Sequence, residues 1–93
     1  MIRHVVLFKT KEGAPLPLFK EKIENLKHKI PEILNINVGL DIKFDPNSSD
    51  FCVITDVKNI KDLEIYANHP DHLEVISFIK PYITERKVVD FKV

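Results

Sequence analysis

A chain of 93 residues with 44% hydrophobic and 30% charged side chains suits one compact core and leaves no room for two. Its 14 basic residues are matched by 14 acidic ones, so no positive excess exists to hold DNA or RNA, and no apolar run approaches the ~20 residues that cross a bilayer. Cys52 is the only cysteine, which excludes an internal disulfide and a cysteine-based zinc site.

The expectation is a single domain over residues 1–93, cytoplasmic, with neither nucleic acid nor membrane as partner. The opening Ile2-Arg3-His4-Val5-Val6-Leu7-Phe8 reads as a strand with apolar residues on both faces. Alternation puts Ile2, His4, Val6 and Phe8 on one side and Arg3, Val5, Leu7 and Lys9 on the other. Gly13, Pro15 and Pro17 end it. Phe19, Ile23, Leu26 and Ile30 then recur at spacings of four, three and four, which predicts an amphipathic helix over 18–30, closed by Pro31, with His28 on its wet side.

Residues 35–45 alternate strictly, with Ile36, Val38, Leu40, Ile42 and Phe44 on one face, and predict a second strand. The turn formers of residues 45–50 follow, and then a partner strand over 51–57, so the pair reads as a hairpin with a long loop. Asn59 is placed to cap a helix from Ile60 to Ala67 or Asn68. Pro70 disfavours helical geometry at His69, which predicts a break and a second helical segment through His72, Val75, Ile76 and Ile79, closing near Pro81. Residues 87–93 close the chain as a strand, with Val89, Phe91 and Val93 on one face and Val88, Asp90 and Lys92 on the other.

The order strand, helix, strand, strand, helix, strand matches a ferredoxin-like α+β protomer, with both helices on one face of the sheet. The other face then exposes Val89, Phe91, Val93 and one side of the central hairpin, so a second copy is expected to cover it as a homodimeric α/β barrel.

Four polar residues stand out on this framework: His4 on an apolar strand, Tyr66 before the helix break, His72 after it, and Asp90 in the last strand. Two uses are open to them. They can form a buried hydrogen-bond network, with Tyr66 as packing and Asp90 paired to Arg3 or Lys92. They can also do enolate chemistry without a cofactor, with His72 as general base, Asp90 orienting it, and Tyr66 and His4 binding a carbonyl oxygen. Alternation turns Asp90 toward the helices, which predicts a direct His72–Asp90 hydrogen bond. His69, before the proline, reads as a turn residue. His69 and His72 stand three apart, but Pro70 spoils helical spacing between them, and no metal is expected. Gly13 and Gly39 are the only glycines, which excludes a glycine-rich phosphate loop, and Ser48, Ser49 and Ser77 have no local support as nucleophiles.

The start Ile2-Arg3-His4-Val5-Val6-Leu7-Phe8-Lys9, the run Tyr66-Ala67-Asn68-His69-Pro70-Asp71-His72-Leu73 and the ending Val88-Val89-Asp90-Phe91 resemble the stress-responsive dimeric α/β-barrel domains over essentially the whole chain. The resemblance implies a ferredoxin-like protomer whose sheet packs on that of a second copy. One plant member of that family performs a cofactor-independent aldol cyclisation of a linear polyketide. The resemblance carries its functional positions onto His4, Tyr66, His72 as base and Asp90 as the residue that orients it. The function so implied is a lyase or cyclase acting on a small apolar carbonyl compound, the alternative being a non-catalytic stress-response or ligand-binding homo-oligomer.

Overall fold

In the computed structural model of residues 1–93, the β-branched opening segment forms β1 (Ile2–Thr10), the strand from which the rest of the sheet is built. It pairs antiparallel with β3 (Phe51–Val57) on one side and β4 (Ile83–Lys92) on the other, and β2 (Asn35–Leu40) adds to β3, giving the order β2-β3-β1-β4. This is the ferredoxin-like arrangement, α+β with four antiparallel strands.

The helices are α1 (Leu16–Glu24), α2 (Ile60–Asn68) and α3 (Pro70–Ile79). They bury their apolar stripes against the face carrying Val6, Phe8, Val53 and Val38. Phe19 of α1 is fully buried and its ring meets those of Phe51, Phe78 and Tyr82 at centroid distances of 5.8, 5.9 and 5.5 Å. Truncating such an anchor to alanine typically costs about 3–5 kcal/mol.

Three boundaries differ from the sequence reading. The first helix begins at Leu16, with Pro17 in its first turn where a missing N–H costs nothing, and it tightens into a 3₁₀ turn over Asn25–His28 before Pro31. The strand expected over 35–45 stops at Leu40, the last residue with a partner on β3. Beyond it Asp41 Oδ2 accepts the Phe44 N–H at 2.8 Å, Phe44 takes a φ of 57°, and Ile42 and Phe44 stand 89% and 83% exposed. Local turn chemistry from Asp41 thus outweighs the apolar alternation once the partner strand is gone. The last strand starts at Ile83, four residues early, because β1 is long enough to pair with it up to Thr10.

The outer edge of β2 is covered by side chains. Glu24 Oε2 accepts the Val38 N–H at 3.0 Å, and Lys20 Nζ donates to the Val38 carbonyl at 2.6 Å and to Glu24 at 2.8 Å. These bonds, Lys20 first, hold the Glu24 carboxyl below its usual range. They also occupy backbone groups that would otherwise offer a template for another strand.

The break between α2 and α3 falls where Pro70 requires it. His69 is extended, at φ −63° and ψ 135°, and its Nδ1 accepts the Asp71 N–H at 3.1 Å as the cap of α3. Asn59 caps α2 in the same way through Asp62 N–H, at 2.8 Å.

On the face away from the helices, Leu7, Val89 and Phe91 are 42%, 56% and 44% exposed and adjoin Val5, Cys52 and Ile54 through the strand register. Arg3 crosses this face to Asp56, with Nε–Oδ1 at 2.8 Å and Nη2–Oδ2 at 3.1 Å. That fork, hydrogen bond before charge, holds the guanidinium pKa above its ordinary value.

Candidate active site

Between the helices and the sheet lies a cavity of about 510 Å³ with 12 hydrophobic residues among its 17 lining residues. That is within the range of small-molecule sites, ~300–1,000 Å³. His4 reaches it from β1, Tyr66 from the end of α2 and His72 from the first turns of α3. The Tyr66 ring lies between the two histidines, with centroids 6.3 Å from His4 and 4.4 Å from His72.

Asp90 sits directly across from His4 in the β1–β4 register, on the same face. Its Oδ1 is 2.5 Å from His4 Nδ1. A carboxylate only accepts, so Nδ1 donates to it, and in the neutral ring Nε2 is the nitrogen with the free lone pair. The side chain of His4 is 14% exposed and that of Asp90 38%, so the imidazole is sheltered while its carboxylate partner keeps some contact with water.

The expected His72–Asp90 bond is therefore absent, although Asp90 does face the helices. His72 Nδ1 instead donates to the Ala67 carbonyl at 2.9 Å. The cause is the helix break. In a continuous helix the Ala67 carbonyl would receive the N–H of Asp71, but that N–H is given to the His69 side chain, and the orphaned carbonyl takes His72. His72 thus also presents Nε2 as an acceptor. Its pKa is lowered from the ordinary 6.5, chiefly by burial, with the Ala67 hydrogen bond opposing and the charges of His4, Arg86 and His69 adding to the shift.

A depressed histidine pKa gives the folded state stability that is present in full above the unfolded value and declines as pH falls through the folded one. Stability is expected to decline from pH 6.5 downward on this account. Urea unfolding between pH 7.5 and 5 checks it: His72→Gln should flatten this part of the profile, and an unchanged slope would contradict the assignment.

Tyr66 is 3% exposed, and burial raises its pKa, opposed by its hydrogen bond with Thr55 and by the charge of Arg86. Thr55 Oγ1 donates to the Tyr66 oxygen at 3.3 Å, which leaves the phenolic proton free for a guest in the cavity. The sequence reading passed over Thr55, though its alternation with Phe51, Val53 and Val57 marks the helix-facing side of β3. It also passed over Arg86, which lines the cavity and shares a strand face with Val88 and Asp90. Starting the last strand at Ile83 would have brought it into view.

His69 is used as a helix cap and lies 3.6 Å from Asp71, and His28 is exposed. No cluster of three His, Cys, Asp or Glu side chains suits a metal ion.

The model of the stress-responsive A/B barrel domain matches residues 2–93. No curated protein sequence is similar to the chain at a significant level. Among solved structures, a dimeric protein of unknown function with a ferredoxin-like fold from Bacteroides fragilis is 30% identical, with a TM-score of 0.87 over 99% of this chain and 95% of that one. A dimeric ferredoxin-like protein of unknown function from Thermobifida fusca is 28% identical, with a TM-score of 0.87 over 99% and 90%. The hydroxynitrile lyase of Passiflora edulis shares the fold at 16% identity, with a TM-score of 0.85 over 99% and 92%.

Proposed function

Since the chain belongs to the stress-responsive A/B barrel domain family, we propose that it works as a homodimer whose protomers each perform cofactor-independent acid–base chemistry, of lyase or cyclase type, on a small apolar carbonyl compound. The observation that carries this reading is the His4–Asp90 pair, with His4 on the wall of an apolar cavity that Tyr66 and His72 also line. The dimer is supported by the apolar outer face of the sheet and by the dimeric state of the Bacteroides and Thermobifida relatives. The same fold carries a hydroxynitrile lyase in Passiflora edulis, an analogy for the activity class.

In this reading the base role moves from His72 to His4, because the carboxylate that stabilises an imidazolium stands behind His4. His4 Nε2 takes a proton from the carbon next to the carbonyl. The C–H electron pair becomes the enolate double bond, and the carbonyl π pair moves onto oxygen. Tyr66 O–H, held by Thr55, donates to that oxygen as charge develops. The enolate carbon then attacks a second carbonyl or recovers a proton. His72, neutral and with its tautomer fixed by Ala67, accepts a hydrogen bond from a substrate hydroxyl.

Enolisation is measurable without the natural substrate. In D₂O the protons next to the carbonyl of 4-phenylbutan-2-one are expected to exchange faster with the protein than in buffer alone, read by proton NMR. Binding of the ketone with no acceleration would favour the ligand-binding alternative and overturn the enzymatic one.

A further inference from the structure

A solvated cation at the rim of an apolar cavity is placed to grip the anionic end of an occupant whose apolar part lies inside. Arg86 lies opposite Phe8 across β1 and shares the helix-facing side with Val88 and Asp90, so its guanidinium stands at the cavity wall. Its charge reaches both Tyr66 and His72, opposing the rise of one pKa and adding to the fall of the other.

No carboxylate lies within ion-pair distance of Arg86. The acids along its own strand are taken: Glu85 faces Lys9 and Lys87, each at 3.8 Å, and Asp90 holds His4. Lys80, at the end of α3, is a second cation on the cavity wall without an ion pair. Glu64 is the one acid on that wall, and it pairs with neither.

We propose that the substrate is an apolar keto acid, its carboxylate held in the fork of Arg86 while its carbonyl lies at Tyr66 and its tail fills the apolar part of the cavity. This deepens the reading of the cavity as a carbonyl site and rests on it. Arginine is the fitting residue because its planar donors meet a carboxylate in two parallel hydrogen bonds. Anchoring one end of the molecule also fixes where the carbon next to the carbonyl lies relative to His4, as an enzyme that abstracts a proton from carbon requires.

Two probes that differ in carrying a carboxylate or a methyl group on the carbonyl carbon test this: 4-phenyl-2-oxobutanoate and 4-phenylbutan-2-one, compared by calorimetric titration. The acid is expected to bind about tenfold more tightly to the unaltered protein, with an advantage that shrinks at high salt. Arg86→Gln, at an exposed position of an edge strand, should bring the acid down to the affinity of the ketone, and Arg86→Lys should keep part of the difference. Equal affinities in the unaltered protein, or an advantage that survives Arg86→Gln, overturn the proposal. Deuterium exchange at C3 of the acid separates it from the underlying reading. Tight, Arg86-dependent binding without exchange supports the carboxylate grip and overturns catalysis, whereas exchange of the ketone with no preference for the acid overturns the grip alone.

Discussion

His4→Gln is expected to reduce the catalysed exchange of 4-phenylbutan-2-one by about 10²–10⁴-fold, the usual contribution of a positioned general base. The glutamine amide keeps a donor for Asp90 but has no nitrogen that can accept a proton at neutral pH. Folding should survive, because Asp90 is 38% exposed and water can replace the lost partner, a change of about 1 kcal/mol. The parallel variant His72→Gln removes an acceptor with no carboxylate behind it, so its loss of rate should be the smaller. Exchange rates by NMR, with thermal melts of each variant, decide between the two histidines. A loss confined to His72→Gln would return the base role to α3. Equal losses of rate and stability in His4→Gln would instead make the His4–Asp90 pair a structural bond.

Phe91→Glu is expected to break the proposed homodimer into monomers or to prevent folding. Phe91 lies on the helix-free face of β4, with Val89 beside it and Leu7 further along the same face, and the three are 42–56% exposed in the single chain. Apolar side chains massed on one sheet face mark a surface that another protein covers. A carboxylate forced into that contact leaves an uncompensated buried charge, worth about 3–5 kcal/mol against association. Sedimentation velocity reads the outcome, and circular dichroism tells a folded monomer from an unfolded chain. A folded Phe91→Glu dimer as tight as the unaltered one would overturn this face as the interface. The bidentate Arg3–Asp56 pair lies on the same face and gives it a polar boundary that apolar packing alone would lack.

The element order was legible because each element carries its own period. Phe19, Ile23, Leu26 and Ile30 mark a helix, Ile36, Val38 and Leu40 a strand, and Pro70 stops a helix by lacking an N–H, whatever the tertiary surroundings. The same local rules located the Asn59 cap and the two-faced strands that point to a covered second face. They failed at Ile42 and Phe44, where alternation continues but no neighbouring strand does. A strand exists only where its backbone finds a partner, and the sequence of one strand does not say where the other ends.

The four site residues were likewise visible as types that do not fit their apolar settings, but not as a wired arrangement. That Asp90 faces the helices follows from alternation along one strand. That it meets His4 rather than His72 follows from the register of β1 against β4, a pairing between residues 86 positions apart in the chain. The partner of His72 was decided by a backbone carbonyl, that of Ala67, left unpaired when the break diverted the Asp71 N–H to His69. Periodicity and turn chemistry are properties of neighbouring residues, so the sequence by itself determined the elements and their faces. Sheet register and the filling of orphaned backbone groups depend on the whole packed chain, so only the tertiary structure decided which histidine holds the carboxylate.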